Sequence, residues 1–88
     1  MSNKLKATHE TIAAIMREVD DELKSAAAAG IRGKHLATDL GLDSLDIIKF
    51  ILLVEEKFGL KIPDHEIDAR GLLAVDNLVA YLAERGRT

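Results

Sequence analysis

The residues most able to do chemistry surround one serine, Ser44, which lies between Asp43 and Asp46. Gly41 and Leu42 precede this group and apolar residues with helical spacing follow it, which predicts that Ser44 stands at the start of a helix. A helix N-terminus offers unpaired backbone N–H groups and the positive end of the helix dipole, an environment suited to a phosphate ester on the hydroxyl. Serine is also common at helix starts simply as a cap. The local pattern therefore leaves two interpretations of Ser44 open.

Other chemistries find little support in the sequence. The three histidines, His9, His35 and His65, are scattered and show no helical pair, so no metal site is predicted. Nucleophilic catalysis by Ser44 would require a base beside it, and nothing in the spacing indicates a triad. There is no glycine-rich phosphate loop. None of these residue patterns therefore predicts a catalytic site.

The helix predicted from residue 44 to residue 58 has two apolar faces, because positions advance by about 100° per residue around a helix. One broad face is formed by Ile47, Phe50, Ile51, Val54 and Phe58. A narrower stripe on nearly the opposite side is formed by Leu45, Ile48 and Leu52. A small domain can cover only one face with its core, so either the preceding loop or another protein covers the stripe. The acidic residues beside it favour another protein.

Helical periodicity and its interruptions predict one all-α domain over residues 1–88. It is expected to be a small bundle of three main helices and one short one, with a long loop between the first two. The first helix begins at about Leu5 or Thr8, and Pro63 is the first residue of the short helix. The predicted segments are helix 1 at about 5–28, the loop at 29–43, helix 2 at about 44–58, the short helix at about 64–69 and the last helix at about 75–85.

Composition agrees with a helical bundle and limits the classes of function that the chain can have. Hydrophobic residues make up 48% of the chain, nearly all aliphatic, and there is no cysteine, so apolar packing must supply the stability. The net charge is −3, and between residues 39 and 68 eight acidic residues face three basic ones, which disfavours nucleic-acid binding. No secretory signal or membrane-length apolar segment is visible. We expect a cytoplasmic monomer that binds neither nucleic acid nor membrane.

The segment Asp39-Leu40-Gly41-Leu42-Asp43-Ser44-Leu45-Asp46 resembles the phosphopantetheine-attachment motif of acyl carrier proteins. The similarity continues in Glu55-Glu56-Lys57-Phe58-Gly59 and in Ile62-Pro63-Asp64. This resemblance implies that a phosphopantetheinyl transferase attaches 4′-phosphopantetheine to Ser44, with Asp43 as part of the flanking motif. It also implies that the arm carries acyl groups as thioesters to partner enzymes, which would be acyl or ketide synthases, acyltransferases, or an acyl or aminoacyl ligase.

The same resemblance assigns a partner-docking role to the start and outer face of helix 2. Acidic contacts with basic patches on partners are implied for Asp43, Asp46, Glu55 and Glu56. Apolar contacts are implied for Leu45, Ile48 and Leu52. Lys49 lies within this surface, at the place where carriers of fatty-acid synthesis usually have an acid.

The chain departs from the family pattern in ways that bear on its cargo. Lys49 and Lys57 interrupt the acidic run, and the segment from Arg70 to Val75 lacks the usual threonine pair and is longer than usual. These departures favour a dedicated carrier for an unusual lipid or a polyketide over a general fatty-acid carrier. Two alternatives stay open: an aminoacyl carrier paired with an adenylating ligase, and an unmodified helical module that only binds a partner.

Overall fold

A computed structural model of the chain describes residues 6–19 and 30–85. Within these residues the chain forms helices and no β-strand, which confirms the predicted all-α bundle of three main helices and one short one. The helices are α1 (His9–Val19), α2 (Ser44–Phe58), α3 (Asp64–Ala69) and α4 (Val75–Arg85). Residues 20–28, assigned by the sequence to the first helix, lie outside the described residues.

The start of α1 differs from the earlier of the two predicted starts. Residues 6–7 are not helical, and the helix begins at His9. The Thr8 hydroxyl accepts the backbone N–H of Thr11 at 3.2 Å, and the Thr8 carbonyl accepts the N–H of Ile12 at 3.1 Å. These two bonds satisfy donors of the first turn and fix the boundary, so Thr8 is the N-cap and a start near Leu5 is wrong.

The core is mainly aliphatic and draws on three of the four helices and on the segments that connect them. α1 packs against both α2 and α4. α1 contributes Ile12, Ile15 and Met16, α2 contributes Phe50, Ile51 and Val54, and α4 contributes Val75, Leu78, Tyr81 and Leu82. Ile62 and Leu72, in the links on either side of α3, are buried as well. Each large side chain removed from water stabilises the fold by about 1.5–3 kcal/mol before entropy is counted.

The long connection before α2 is fastened to the core rather than left loose. Ile31, Leu36 and Leu42 are buried. The backbone N–H of Leu36 also donates to the Leu73 carbonyl at 2.8 Å, and the N–H of Val75 donates to the Lys34 carbonyl at 2.9 Å. This short antiparallel contact joins the connection to the beginning of α4.

A second attachment of the same connection involves Asp76 in the first turn of α4. Its carboxylate lies 2.7 Å from His9 Nε2 and accepts the backbone N–H of Gly33 at 3.0 Å. The Gly33 hydrogen bond and then the His9 contact lower the pKa of Asp76. One carboxylate thus links the start of α1, the connection and the start of α4.

The short helix α3 follows Pro63 instead of beginning with it. Pro63 has φ −62° and ψ 144°, so its backbone is extended. It occupies the N-cap position, whereas the sequence predicted it as the first helical residue. The ring fixes φ without favouring a helical ψ, which explains the shift.

α3 buries no residue completely, but Ile67 packs against the core and polar side chains of α4 bond to Glu66. The Tyr81 hydroxyl donates to the Glu66 carboxylate, and Arg85 Nη1 donates to the Tyr81 oxygen at 2.9 Å. The Tyr81 hydrogen bond is the main reason why the pKa of Glu66 is lowered, and Arg85 and Arg70 lower it further. Arg70 also pairs with Glu84 at 3.0 Å.

Candidate functional site

Ser44 lies at the end of a turn that directs one side chain inward and leaves the next two outside. Gly41 has φ 77°, in the left-handed region that favours glycine. Leu42 then enters the core, and its backbone N–H donates to the Leu36 carbonyl at 3.0 Å. Asp43 is extended, with φ −88° and ψ −179°, and α2 begins at the next residue. Both Asp43 and Ser44 are exposed.

The N-cap of α2 is Asp43 and not Ser44. A carboxylate oxygen of Asp43 accepts the backbone N–H of Asp46 at 2.9 Å, and the Asp43 carbonyl accepts the N–H of Ile47, also at 2.9 Å. Ser44 is therefore the first helical residue, and its hydroxyl is not required for capping. Among the described residues, none forms a hydrogen bond with that hydroxyl. The capping interpretation of Ser44 thus loses its main support.

The surroundings of Ser44 fit a phosphate ester. The backbone N–H groups of the first helical turn have no partners within the helix, and the positive end of the helix dipole lies there. An exposed hydroxyl in the first turn leaves space outward for a long substituent, so the residues present are compatible with phosphopantetheine.

Two of the three histidines are engaged in contacts away from Ser44. Nδ1 of His35 accepts the backbone N–H groups of Ala37 at 3.1 Å and Thr38 at 3.3 Å, so the ring shapes the connection before α2. His9 contacts Asp76. In the part of the chain that the structure describes, no three His, Cys, Asp or Glu side chains cluster as a metal ion would require.

The apolar stripe that the sequence placed on the outer side of α2 is exposed to solvent. Leu45, Ile48 and Leu52 are 60%, 55% and 57% exposed, whereas Phe50 and Val54 on the opposite face are fully buried. The described part of the preceding connection does not cover the stripe. We call these three residues the exposed stripe.

The charged residues near the exposed stripe differ in their exposure and in the contacts that they make. Lys49 and Glu56 are exposed and Asp46 is half-buried. Glu55 is half-buried, and its Oε2 accepts the backbone N–H of Ile62 at 2.8 Å. Lys57 lies away from the stripe, where its Nζ is 3.2 Å from Oε2 of Glu18 on α1.

The Glu55–Ile62 contact is a structural role that the sequence did not reveal. Glu55 was identified only as a docking acid, and its bond spans seven residues across the end of α2. Gly59, with φ 68°, turns the chain back there, and its N–H donates to the Glu55 carbonyl at 2.9 Å. A glycine at this position indicates a turn, but no local pattern indicates which side chain accepts the Ile62 N–H.

The comparisons with known proteins agree with this geometry. A family model described as "Phosphopantetheine attachment site" matches residues 10–82, which include Ser44. The acyl carrier protein of Helicobacter acinonychis is 36% identical over 78 residues, covering 89% of this chain and 94% of that protein.

The chain belongs to the acyl carrier protein family.

Other members show the same relationship. The acyl carrier protein of Campylobacter hominis is 37% identical over 68 residues, covering 76% of this chain and 84% of that protein. The mitochondrial acyl carrier protein of Neurospora crassa is 44% identical over a shorter stretch of 48 residues, 54% of this chain and 34% of that protein. Acyl carrier proteins are carriers and not catalysts, their cofactor is phosphopantetheine, and they interact with a phosphopantetheinyl transferase and with synthase-type enzymes. Within residues 6–19 and 30–85, no helix combines the length and the apolar character that crossing a membrane requires.

Proposed function

We propose that Ser44 of this acyl carrier protein is the residue that takes 4′-phosphopantetheine. The observation that supports it best is the exposed hydroxyl at the first position of α2, beside a cap that Asp43 already provides. In the transfer, the Ser44 oxygen bonds to the phosphorus of coenzyme A that carries the pantetheine arm. The bond from that phosphorus to adenosine 3′,5′-bisphosphate breaks, and the proton of the hydroxyl is released. The arm, when bound, supplies a thiol that holds acyl groups as thioesters.

The chain's own residues position this hydroxyl rather than activate it. Leu42 fixes the turn to the core, Asp43 caps the helix, and Ser44 stands at the N-terminal end of α2. A long arm fixed at this end raises the effective concentration of its cargo at each enzyme that the carrier binds. The carrier itself needs only weak, reversible contacts.

We further propose that partner enzymes dock on the exposed stripe and its charged neighbours. Leu45, Ile48 and Leu52 supply apolar area, and the flanking Asp43, Asp46, Lys49 and Glu56 supply orientation. Glu55 stands at the edge with one oxygen already bound to Ile62, so its contribution to docking is smaller. A stripe of three side chains suits a transient contact, as repeated delivery requires, and favours a monomer.

The similarity to acyl carrier proteins favours an acyl intermediate of fatty-acid, unusual-lipid or polyketide synthesis as the cargo. The relatives are named acyl carrier proteins, which supports acyl over aminoacyl cargo. The relatives from Campylobacter and Helicobacter are bacterial, which supports a cytoplasmic location.

The test is to incubate the purified chain with coenzyme A and a phosphopantetheinyl transferase of broad specificity, and then to measure the intact mass. The wild type should gain one phosphopantetheine group and Ser44→Ala should gain none. Circular dichroism should show the same helicity and melting temperature for both proteins. A folded wild type that gains no mass would contradict the proposal and favour an unmodified helical module.

A further inference from the structure

Charges of both signs lie along the exposed stripe of α2. Along the axis of α2 the charges follow in the order Asp46, Lys49 and Glu56, three and then seven residues apart. Lys49 and Glu56 border the stripe, and Asp46 lies about 60° further around the helix than Lys49. With a rise of about 1.5 Å per residue, the charges are spaced about 4.5 Å and about 10.5 Å along the axis. The sequence of signs is negative, positive, negative.

The positive charge of Lys49 is available to a partner. Among the described residues no carboxylate lies within 4.0 Å of its Nζ, whereas Lys57, the other lysine of α2, pairs with Glu18 at 3.2 Å. Lys57 therefore has a role inside the bundle, between α1 and α2. Lys49, about 80° around the helix from Lys57, has none that the structure describes.

Lys49 lies four residues after Leu45 and three before Leu52, so it is a direct neighbour of the exposed stripe. A protein that covers Leu45 and Leu52 also removes water from around the Lys49 ammonium group. A desolvated charge without a counter-charge opposes binding, whereas a carboxylate facing it favours binding and fixes the register.

We infer that Lys49 selects partners that present a carboxylate opposite it, between cationic groups that face Asp46 and Glu56. The inference rests on the proposed carrier function and names the partner's surface: an apolar patch crossed by positive, negative and positive groups. A partner with only cationic groups at these positions is disfavoured, because one of them meets Lys49.

The experiment uses the phosphopantetheine-loaded protein and a malonyltransferase of fatty-acid synthesis whose carrier-binding surface is basic. Transfer of malonyl from malonyl-coenzyme A to the thiol releases coenzyme A, and its kcat/KM is measured at low and high salt. Lys49→Glu should raise kcat/KM by about three- to tenfold at low salt, with Lys49→Gln between it and the wild type. The difference should shrink at high salt.

Lys57→Glu is the matched control, because it makes the same charge change on the same helix away from the stripe. Its kcat/KM should stay near the wild-type value, and melting temperatures should show that every variant is folded. An equal rise in Lys57→Glu and Lys49→Glu would show that only net charge matters and would overturn the inference. An unchanged rate in Lys49→Glu would overturn it as well.

A charge-swap scan of the same malonyltransferase tests the facing carboxylate directly. In each variant of the enzyme, one arginine or lysine of its carrier-binding surface is changed to glutamate. One of these variants should have a higher kcat/KM with the wild-type chain than with Lys49→Glu, which reverses the ranking seen with the unchanged enzyme. If every variant keeps the original order, the inference fails. Loading at Ser44 is followed separately by mass, so a loaded protein without a Lys49 effect refutes this inference alone. A protein that does not load refutes the carrier function and this inference together.

Discussion

The carboxylate of Glu55 accepts the backbone N–H of Ile62 across 2.8 Å, and this contact ties the last turn of α2 to the segment before α3. Ile62 is buried, so its N–H has little access to water if the carboxylate is removed. The neighbouring acid, Glu56, is exposed and makes no such bond among the described residues. Two adjacent residues of the same type thus differ in their importance for folding.

Glu55→Ala should lower the free energy of unfolding by about 1–2 kcal/mol, because the Ile62 N–H is left without a partner. Glu56→Ala should change it by less than about 0.5 kcal/mol, as is usual for an exposed residue. Urea unfolding followed by circular dichroism measures both. Equal effects of the two substitutions would show that the Glu55–Ile62 bond does not stabilise the fold.

Asp43→Ala should cost about 1 kcal/mol of stability, because the N–H of Asp46 loses the oxygen that caps α2. Asp43→Asn keeps a side-chain oxygen at the same place and should recover most of the loss. The two midpoints of urea unfolding provide the comparison. If alanine and asparagine destabilise equally, the contribution of Asp43 comes from its charge near the helix dipole and not from the cap.

Ile48→Gln should leave the stability within about 0.5 kcal/mol of the wild type, because Ile48 is 55% exposed. The same substitution lowers kcat/KM for acyl transfer from a partner enzyme, because it removes apolar area from the exposed stripe. Ile51→Gln, three residues later on the buried face, should instead cost about 2 kcal/mol or more. An unaffected transfer rate in a folded Ile48→Gln protein would show that partners do not use the stripe.

Tyr81 should make the stability fall in alkaline solution. Burial and then the hydrogen bond to Glu66 raise the pKa of its phenol above 10.0 in the folded chain. As the pH rises, the unfolded chain therefore loses the phenol proton first. The stability contributed by the neutral phenol is complete below pH 10.0 and is lost as the pH passes the folded pKa.

This tyrosine can be followed directly, because it is the only one in the chain. Ultraviolet absorbance should show phenolate formation at higher pH in the folded protein than in urea. Tyr81→Phe, compared with the wild type, should show a weaker decrease in stability above pH 10.0. Coincident titrations of the folded and unfolded proteins would contradict the burial of a neutral phenol beside Glu66.

The parts of the fold that follow from local rules could be predicted from the sequence. The spacing of Phe50, Ile51 and Val54 placed the buried face of α2 and separated it from the exposed stripe. Gly59 marked the end of the helix because its left-handed φ of 68° is costly for other residues. The helical spacing of the apolar residues after Ser44 marked its beginning.

The contacts that could not be predicted join residues that no local sequence pattern pairs. The bonds of Glu55 to Ile62, Lys57 to Glu18 and Asp76 to Gly33 depend on how the helices are placed against one another. The spacing of residue types along the chain does not predict which residues form such pairs. At the candidate site, the exposed position of Ser44 was expected from the turn, whereas the stripe's exposure required the packing of the connection to be known.

The most direct test of the account locates the modified residue. The chain contains three serines, Ser2, Ser25 and Ser44, and the protein loaded by a phosphopantetheinyl transferase can be digested and its peptides fragmented in a mass spectrometer. The account predicts the phosphopantetheine on Ser44 alone, full loading of Ser25→Ala and no loading of Ser44→Ala. A loaded Ser44→Ala protein, or an arm found on another residue, would contradict it.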